Sequence, residues 1–365
     1  MAAELDAADR EQDSPSAQGA ATQTLNPGLV SAIIVNWNGA RVLPACLAGL
    51  AAQDYRPIET IVVDNGSVDG SEQQVADRAD LHLIRNSSNL GFAVANNLGL
   101  RLARGEFILL LNNDVVLEPG YVAALVGSLR ADPLRGSASG KLVRPPQAAG
   151  SRRLDSTGHV IFRNVWAMNR GEDEPDGPGH NLAGEVFGVC AAAGLYRRAM
   201  LDDVEVAGEI LASAFFAYLE DVDLDWRAQL RGWRSWYEPA ALAIHHRGGS
   251  GGWFSTPIQR HIFKNRILMM IRNDAGVGFF KRLPGIVAFT GAALLLGTLR
   301  SPKFLSAVWE ALRLAPAAWR QRRLIQAHRT VSPADLEAWF LPYPYLKKLR
   351  QGRWRRSRRQ WISQS

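Results

Sequence analysis

Cysteine is nearly absent from this chain, with only Cys46 and Cys190 among 365 residues. Thiols so far apart form neither a disulfide framework nor a metal-spaced cluster, which points to a reducing compartment. Residues 1–28 hold almost no large apolar side chain. They lack the apolar stretch of a secretory signal, and their acids speak against a transit peptide, so a disordered tail is expected. Acids are missing from residues 341–365, where Lys347, Lys348, Arg350, Arg353, Arg355, Arg356, Arg358 and Arg359 stand. These cations exceed the net charge of +7, leaving the rest of the chain near neutral. Any pull toward an anionic surface therefore acts through the C-terminal end. No recognition module for nucleic acid accompanies it. Residues 283–299 form one uncharged, apolar stretch bounded by Arg282 and Arg300. At 17 residues it is marginal as a bilayer span, which takes about 20. No internal repeat stands out.

What is present from Leu29 onward is an alternation of short β-branched runs and helical spacings. "VSAIIVNWNG", "IETIVVDNGSVDGS", "LHLIRN" and "FILLLNNDVVL" read as buried strands. Between them, "ARVLPACLAGLAAQ", residues 71–80 and "GFAVANNLGLRLA" read as helices. Such alternation predicts βαβ units and a mainly parallel sheet covered on both faces. Polar residues gather at the strand ends: Asn36 and Asn38, Asp64 and Asn65, Asn112 to Asp114. Open α/β sheets bind ligands outside the carboxyl ends of their strands. From about Ser255 the chain reads helical.

The individual motifs suggest chemistry. Asp64, with Asn65 and Ser67 beside it, could accept hydrogen bonds from a nucleobase or ribose, or simply open an Asx-turn. In "LLLNNDVVLEPG", strand alternation would place Asn112 and Asp114 on one face, an oxygen pair suited to a hard divalent cation on a diphosphate. Asn89 and Gly91 stand where a strand passes into a helix, a place where backbone can approach a ligand. "AIHHRGGSGG" offers His245 and His246, of which His246 is the preferred metal or phosphate contact. In "YLEDVDLDWR", Leu219, Val222, Trp226 and Leu230 predict an amphipathic helix over 219–230. Glu220 and Asp221 fall in its first turn, where the helix dipole favours acids. Asp225 is expected to pair with Arg227 or Arg231, and Asp223 to stay solvated. The aromatics Phe215, Phe216 and Tyr218 lead straight into the acids, so one carboxylate is placed to take a proton from a hydroxyl.

These segments, in this order and together with "HIFKNRILMMIRN", resemble the family 2 inverting glycosyltransferases of GT-A fold, most closely their bacterial rhamnosyltransferase-like branch. The resemblance spans roughly 30–275. It implies an α/β nucleotide-diphospho-sugar transferase domain over 29–255, with a nucleotide-sugar half at 29–135 and an acceptor half at 136–255. Residues 256–365 would then be a helical, basic, membrane-associating extension on the cytoplasmic face. Asn36, Asn38, Asp64, Asn65, Ser67, Asn89, Gly91, Asn112 and Asn113 would contact the nucleotide sugar, dTDP-L-rhamnose being the leading candidate. Asp114 would be the main ligand of Mg²⁺ or Mn²⁺ at the position of an Asp-x-Asp motif, with His246 as a C-terminal ligand. Asp221 would be the general base, assisted by Glu220. The acceptor would be a lipid-linked or growing polysaccharide. The sequence departs from the family pattern in two places: Asn112 replaces an acid, and the glycine usual near Ala191 in "FGVCAAAGLYRR" is missing. A nucleotidyltransferase would be expected to show a Gly-rich basic loop after the first strand. A non-catalytic relative would lack Asp114 or Asp221. Neither expectation is met here.

Overall fold

The computed structural model describes residues 25–146, 152–247 and 255–344. The expected N-terminal tail lies outside these except at its end, where β1 (Asn26–Asn36) has already begun. The basic run 347–359 also lies outside. After β1 come α1 (Leu43–Ala51), β2 (Ile58–Asp64), β3 (His82–Arg85), α2 (Phe92–Leu102) and β4 (Gly105–Asn112). β5 (Val115–Leu117) and α3 (Tyr121–Arg130) follow, then β6 (Arg135–Val143), β7 (Leu154–Ser156), β8 (His159–Phe162) and β9 (Ala167–Asn169). The next elements are β10 (Gly184–Val186), β11 (Ala193–Arg197), α4 (Arg198–Asp203), α5 (Glu220–Leu230) and β12 (Arg234–His245). Three long helices close the series: α6 (Thr256–Asn273), α7 (Val277–Arg300) and α8 (Ser306–Ala327).

The central sheet runs β10-β12-β6-β11-β4-β1-β2-β3, with β5 on β12 and β7 on β6. β1, β2, β3 and β4 are mutually parallel, as is β12 with β6, whereas β11 runs antiparallel between β4 and β6. β1 shows why the sequence makes this sheet. Val30, Ala32 and Ile34 point to the layer of α1 and α3, while Ile33 points to that of α2. Both faces are apolar, so the strand reads as an unbroken hydrophobic run. A Cβ on Gly99 of α2 would stand 2.5 Å from Ile33, so the glycine lets the helix lie close on the strand.

The helix expected at 71–80 is a series of turns. In "SEQQVADRAD" only Val75 is a buried apolar residue, and one anchor gives a helix no face to bury.

α5 also departs from expectation. It forms over Glu220–Leu230 but is buried on nearly all sides rather than amphipathic. Asp223 and Asp225, expected at the surface, are 0% and 1% exposed. The cover comes from α6, which packs against α5 and carries buried Lys264, Asn265, Arg266, Arg272 and Asn273. Asp223 bonds Arg227, Arg272 and Asn273, Arg231 bonds Asp203, and Asp225 meets His159 instead of an arginine. The stretch after 255 thus begins as an integral layer of the core. α7 is long and apolar enough to cross a membrane by length and composition, and little of it is buried.

Candidate active site

The carboxyl ends of β1, β2 and β4 meet at a polar rim. Asn36 is fully buried there and its Nδ2 donates to Asp64 Oδ1 at 2.9 Å and to Ser71 Oγ at 2.8 Å. Its Oδ1 accepts from Asn113 Nδ2 at 2.9 Å. Ser67 N–H donates to Asp64 Oδ2 at 3.0 Å, and Ser67 Oγ accepts from Asn38 N–H at 3.0 Å. A Cβ on Gly39 would stand 2.2 Å from Asn36 Oδ1 and 2.3 Å from Asn113 Nδ2, so only glycine fits beside this pair. Asn65 extends the rim to the next loop. Its Nδ2 donates to Asn89 Oδ1 at 3.0 Å, and its Oδ1 accepts from Leu90 N–H at 3.0 Å. Gly91 opens α2 at φ +88, and a Cβ there would meet Phe216 at 2.5 Å. The structure therefore joins Asn36, Asn38, Asp64, Asn65, Ser67, Asn89, Gly91 and Asn113 in one connected surface.

Asn112 to Asp114 is not a continuous strand: β4 stops at Asn112 and residues 113–114 turn. The turn sends Asn113 toward Asn36 and Asp114 toward β12. Asp114 Oδ1 lies 3.3 Å from His245 Nε2, while His245 Nδ1 meets Asp155 Oδ2 at 2.7 Å. It is thus His245, not the preferred His246, whose ring faces Asp114. His246 is exposed and touches Asp114 only through its backbone N–H, which donates to the Asp114 carbonyl at 2.9 Å. The alternation of β12 explains the choice, since neighbouring side chains leave opposite faces. Burial opposes a charge on His245, but Asp114 and Asp155 outweigh it and push its pKa up to about 10. Among the described residues, Asn112 Oδ1 is buried without a hydrogen-bond partner. An acid facing a histidine that a second-row carboxylate holds is a pair of donors that fits a divalent cation, and the orphaned Asn112 oxygen two residues earlier is of the same hard, oxygen-donor kind.

The acids of α5 connect to β4 through residues 191–192, since Ala191 N–H donates to Asp221 and the Ala192 carbonyl accepts from Asn112 N–H. The segment ahead of them is strained: Phe216, Tyr218 and Leu219 have φ of 67, 74 and 67. Non-glycine residues hold such angles only where their surroundings enforce them. Asn265 Nδ2 does so here, donating to the carbonyls of Phe215, Ala217 and Tyr218 at 3.0, 2.9 and 2.7 Å. Lys264 Nζ adds a bond to the Ala214 carbonyl at 2.8 Å.

So presented, Asp221 stays partly exposed. Its Oδ1 accepts from Val222 N–H at 2.9 Å, and its Oδ2 from Ala191 N–H at 3.3 Å. Glu220 is buried, and its Oε2 finds no hydrogen-bond partner among the described residues. Burial, then the neighbouring Asp221 charge, pushes its pKa up to about 8. His159 Nε2 lies 3.5 Å from Asp221 Oδ2, and its Nδ1 bonds Asp225 Oδ2 at 2.7 Å. Burial disfavours its cation, yet Asp221 and Asp225 hold its pKa well above the ordinary value. Burial raises Asp225 to about 6 in spite of that bond. His159, Asp155, Lys264 and Asn265 escape sequence reasoning, because each acts on a partner far along the chain.

The glycosyl transferase family 2 model matches residues 31–204. An N-acetylglucosaminyl-diphospho-decaprenol L-rhamnosyltransferase of Mycobacterium tuberculosis is 29% identical over 244 residues, covering 60% of this chain and 76% of that one. A poly-beta-1,6-N-acetyl-D-glucosamine synthase of Staphylococcus aureus is 21% identical over 217 residues, 58% of this chain and 48% of the relative. A crystal structure of GalNAc-T7 with UDP, GalNAc and Mn2+ superposes with a TM-score of 0.52 at 14% identity, over 67% of this chain and 47% of that one. That likeness speaks for the fold alone. With the family match, the relatives and the polar rim at the strand ends agreeing, residues 31–204 carry a glycosyl transferase family 2 domain and the chain is a glycosyltransferase of GT-A fold.

Proposed function

We propose that the chain moves a sugar from a nucleotide donor to a hydroxyl of a lipid-linked or growing surface polysaccharide, inverting the anomeric carbon. One observation carries the reading: a single short segment ties the base to the donor rim. Ala191 N–H donates to Asp221, and the next carbonyl, that of Ala192, accepts from Asn112 N–H at 2.9 Å. A carboxylate with few partners is thereby fixed beside the turn that carries Asn113 and Asp114.

In this reading Asp221 accepts the acceptor's proton as its oxygen attacks. Glu220, neutral near pH 7, adds no second charge beside it. The rim of Asn36, Asp64, Asn65 and Asn113 binds and orients the nucleotide. Asn112, Asp114 and His245 are the residues that would hold Mg²⁺ or Mn²⁺, which when bound neutralises charge on the departing diphosphate. The donor proposed is dTDP-L-rhamnose; the name of the mycobacterial relative supports L-rhamnose as the sugar and also names a lipid-linked acceptor. Membrane contact, proposed on the cytoplasmic face, is supported as contact by α7 and α8. They expose Phe280, Val287, Leu295, Leu299, Trp309 and Trp319 among basic residues, as helices lying in an anionic interface do.

The test is the Asp221→Asn variant, assayed with dTDP-L-rhamnose, acceptor and Mn²⁺ for transfer of rhamnose to the acceptor with release of dTDP. Transfer is lost while donor affinity holds. Loss of donor binding instead would assign Asp221 to the donor side and overturn the reading.

A further inference from the structure

The acceptor side of the site holds a cluster that sugar transfer leaves partly unused. A ring nitrogen of His159, Cys190 Sγ and a carboxylate oxygen of Asp221 all lie within 4.8 Å of one another. Zinc takes N and O ligands at about 2.0–2.2 Å and sulfur at about 2.3 Å, so tetrahedral neighbours stand roughly 3.3–3.8 Å apart. His159 Nε2 and Asp221 Oδ2 are already 3.5 Å apart, near one such edge and too long for a strong hydrogen bond.

The surroundings are those of a metal-binding histidine. Asp225 grips the far nitrogen, Nδ1, at 2.7 Å, leaving Nε2 toward Asp221. A carboxylate behind a histidine is the usual second row of a zinc ligand. Asp225 is itself held by the Val189 N–H at 3.2 Å. A Cβ on Gly188 would stand 1.8 Å from Asp225 Oδ2, so this glycine is what lets segment 188–191 close on the pair. Ala191 and Val222 N–H groups aim the Asp221 carboxylate. The side chains of His159 and Asp221 are 5% and 16% exposed, so the cluster is sheltered but reachable from the acceptor side.

We propose that His159, Cys190 and Asp221 form a binding site for a soft divalent cation, Zn²⁺, with its fourth position open. It differs in chemistry from the oxygen-rich set at Asp114, because thiolate and imidazole favour zinc over Mg²⁺. On binding, Zn–S, Zn–N and Zn–O bonds form, and the thiol proton and any proton on the imidazole pass to solvent. No electron moves. The ion occupies the carboxylate that takes the acceptor's proton, so zinc silences transfer even with Mg²⁺ or Mn²⁺ saturating. The binding stands on geometry alone; the inhibition rests on Asp221 being the base.

The experiment titrates the full-length protein with Co²⁺ under excess Mg²⁺ and follows the thiolate-to-cobalt charge-transfer absorption, then displaces the cobalt with Zn²⁺. A band is expected in the parent and in Cys46→Ser, and none in Cys190→Ser. Zinc affinity falls at least about tenfold in His159→Gln and about 10–100-fold in Asp225→Asn. Absence of the band in the parent, or zinc affinity unchanged in both Cys190→Ser and His159→Gln, overturns the site. A band accompanied by full transfer at saturating zinc would keep the site and overturn Asp221 as the base.

Discussion

Replacing Asp223 by asparagine keeps its volume and removes its charge, at a position where charge is the whole role. The carboxylate is fully buried and accepts from Arg227 Nε at 3.0 Å, Arg272 Nε at 2.8 Å and Nη2 at 3.0 Å, and Asn273 Nδ2 at 2.7 Å. Arg227 and Arg272 are each 2% exposed. Neutralising Asp223 leaves both cations buried without their anion, and removing one partner of a buried pair costs about 3–5 kcal/mol. Against a total stability of about 5–15 kcal/mol, that is a large share. Urea unfolding of Asp223→Asn should show a lower midpoint at unchanged slope. The acid limb gives a second reading. Burial alone would raise the Asp223 pKa, but Arg272 and Arg227 overcome it and hold it below the ordinary 3.8. Its stabilisation is therefore present above that value and lost as pH falls, so parent and variant should converge in acid. A solvated helix charge would cost within about 0.5 kcal/mol. A loss under about 1 kcal/mol, or no convergence in acid, would refute the buried network.

Three further outcomes are expected. Glu220 has its folded pKa raised from 4.5 to about 8, so the stability it contributes is present below 4.5 and lost as pH rises through about 8. Glu220→Gln should flatten that decline, and identical stability profiles from pH 5 to 9 would count against a neutral Glu220. His245→Ala should weaken Mn²⁺-dependent donor binding, measured by calorimetry, while His246→Ala leaves it near the parent; the reverse order would restore His246 as the ligand. Leu295→Glu with Leu299→Glu should reduce flotation with anionic vesicles, since charge on an apolar membrane face is costly. Undiminished flotation would move the membrane contact elsewhere.

The strand ends were legible because a parallel strand buried on both faces must be apolar until it leaves the sheet. Asn36, Asp64 and Asn112 mark those exits, and the rim forms from them. The acids of α5 were not, because spacing along one helix says nothing about what covers its other side. Val222, Trp226 and Leu230 show one apolar face, but the arginine that buries Asp223 arrives 49 residues later. His159 and Asp155 were invisible for the same reason, meeting Asp225 and His245 across 66 and 90 residues. The choice between His245 and His246 needed the direction of β12, which a pair of adjacent histidines does not disclose. Residues 71–80 misled by polarity: good helix formers without an apolar stripe settle as turns.

Asn265 gives the C-terminal half a second meaning. Its side chain holds three carbonyls of the strained segment that delivers Asp221, and it stands on α6, the first of the three long C-terminal helices. A chain cut before Thr256 would lose those three bonds, leaving the strained segment with the Ala93 N–H bond to the Phe216 carbonyl and the Asp223 N–H bond to the Leu219 carbonyl, and Asp221 would be less firmly held beside Ala191. Any soluble version of this enzyme must therefore keep α6. Strain on that helix would be felt first at Asp221, the carboxylate proposed as the base.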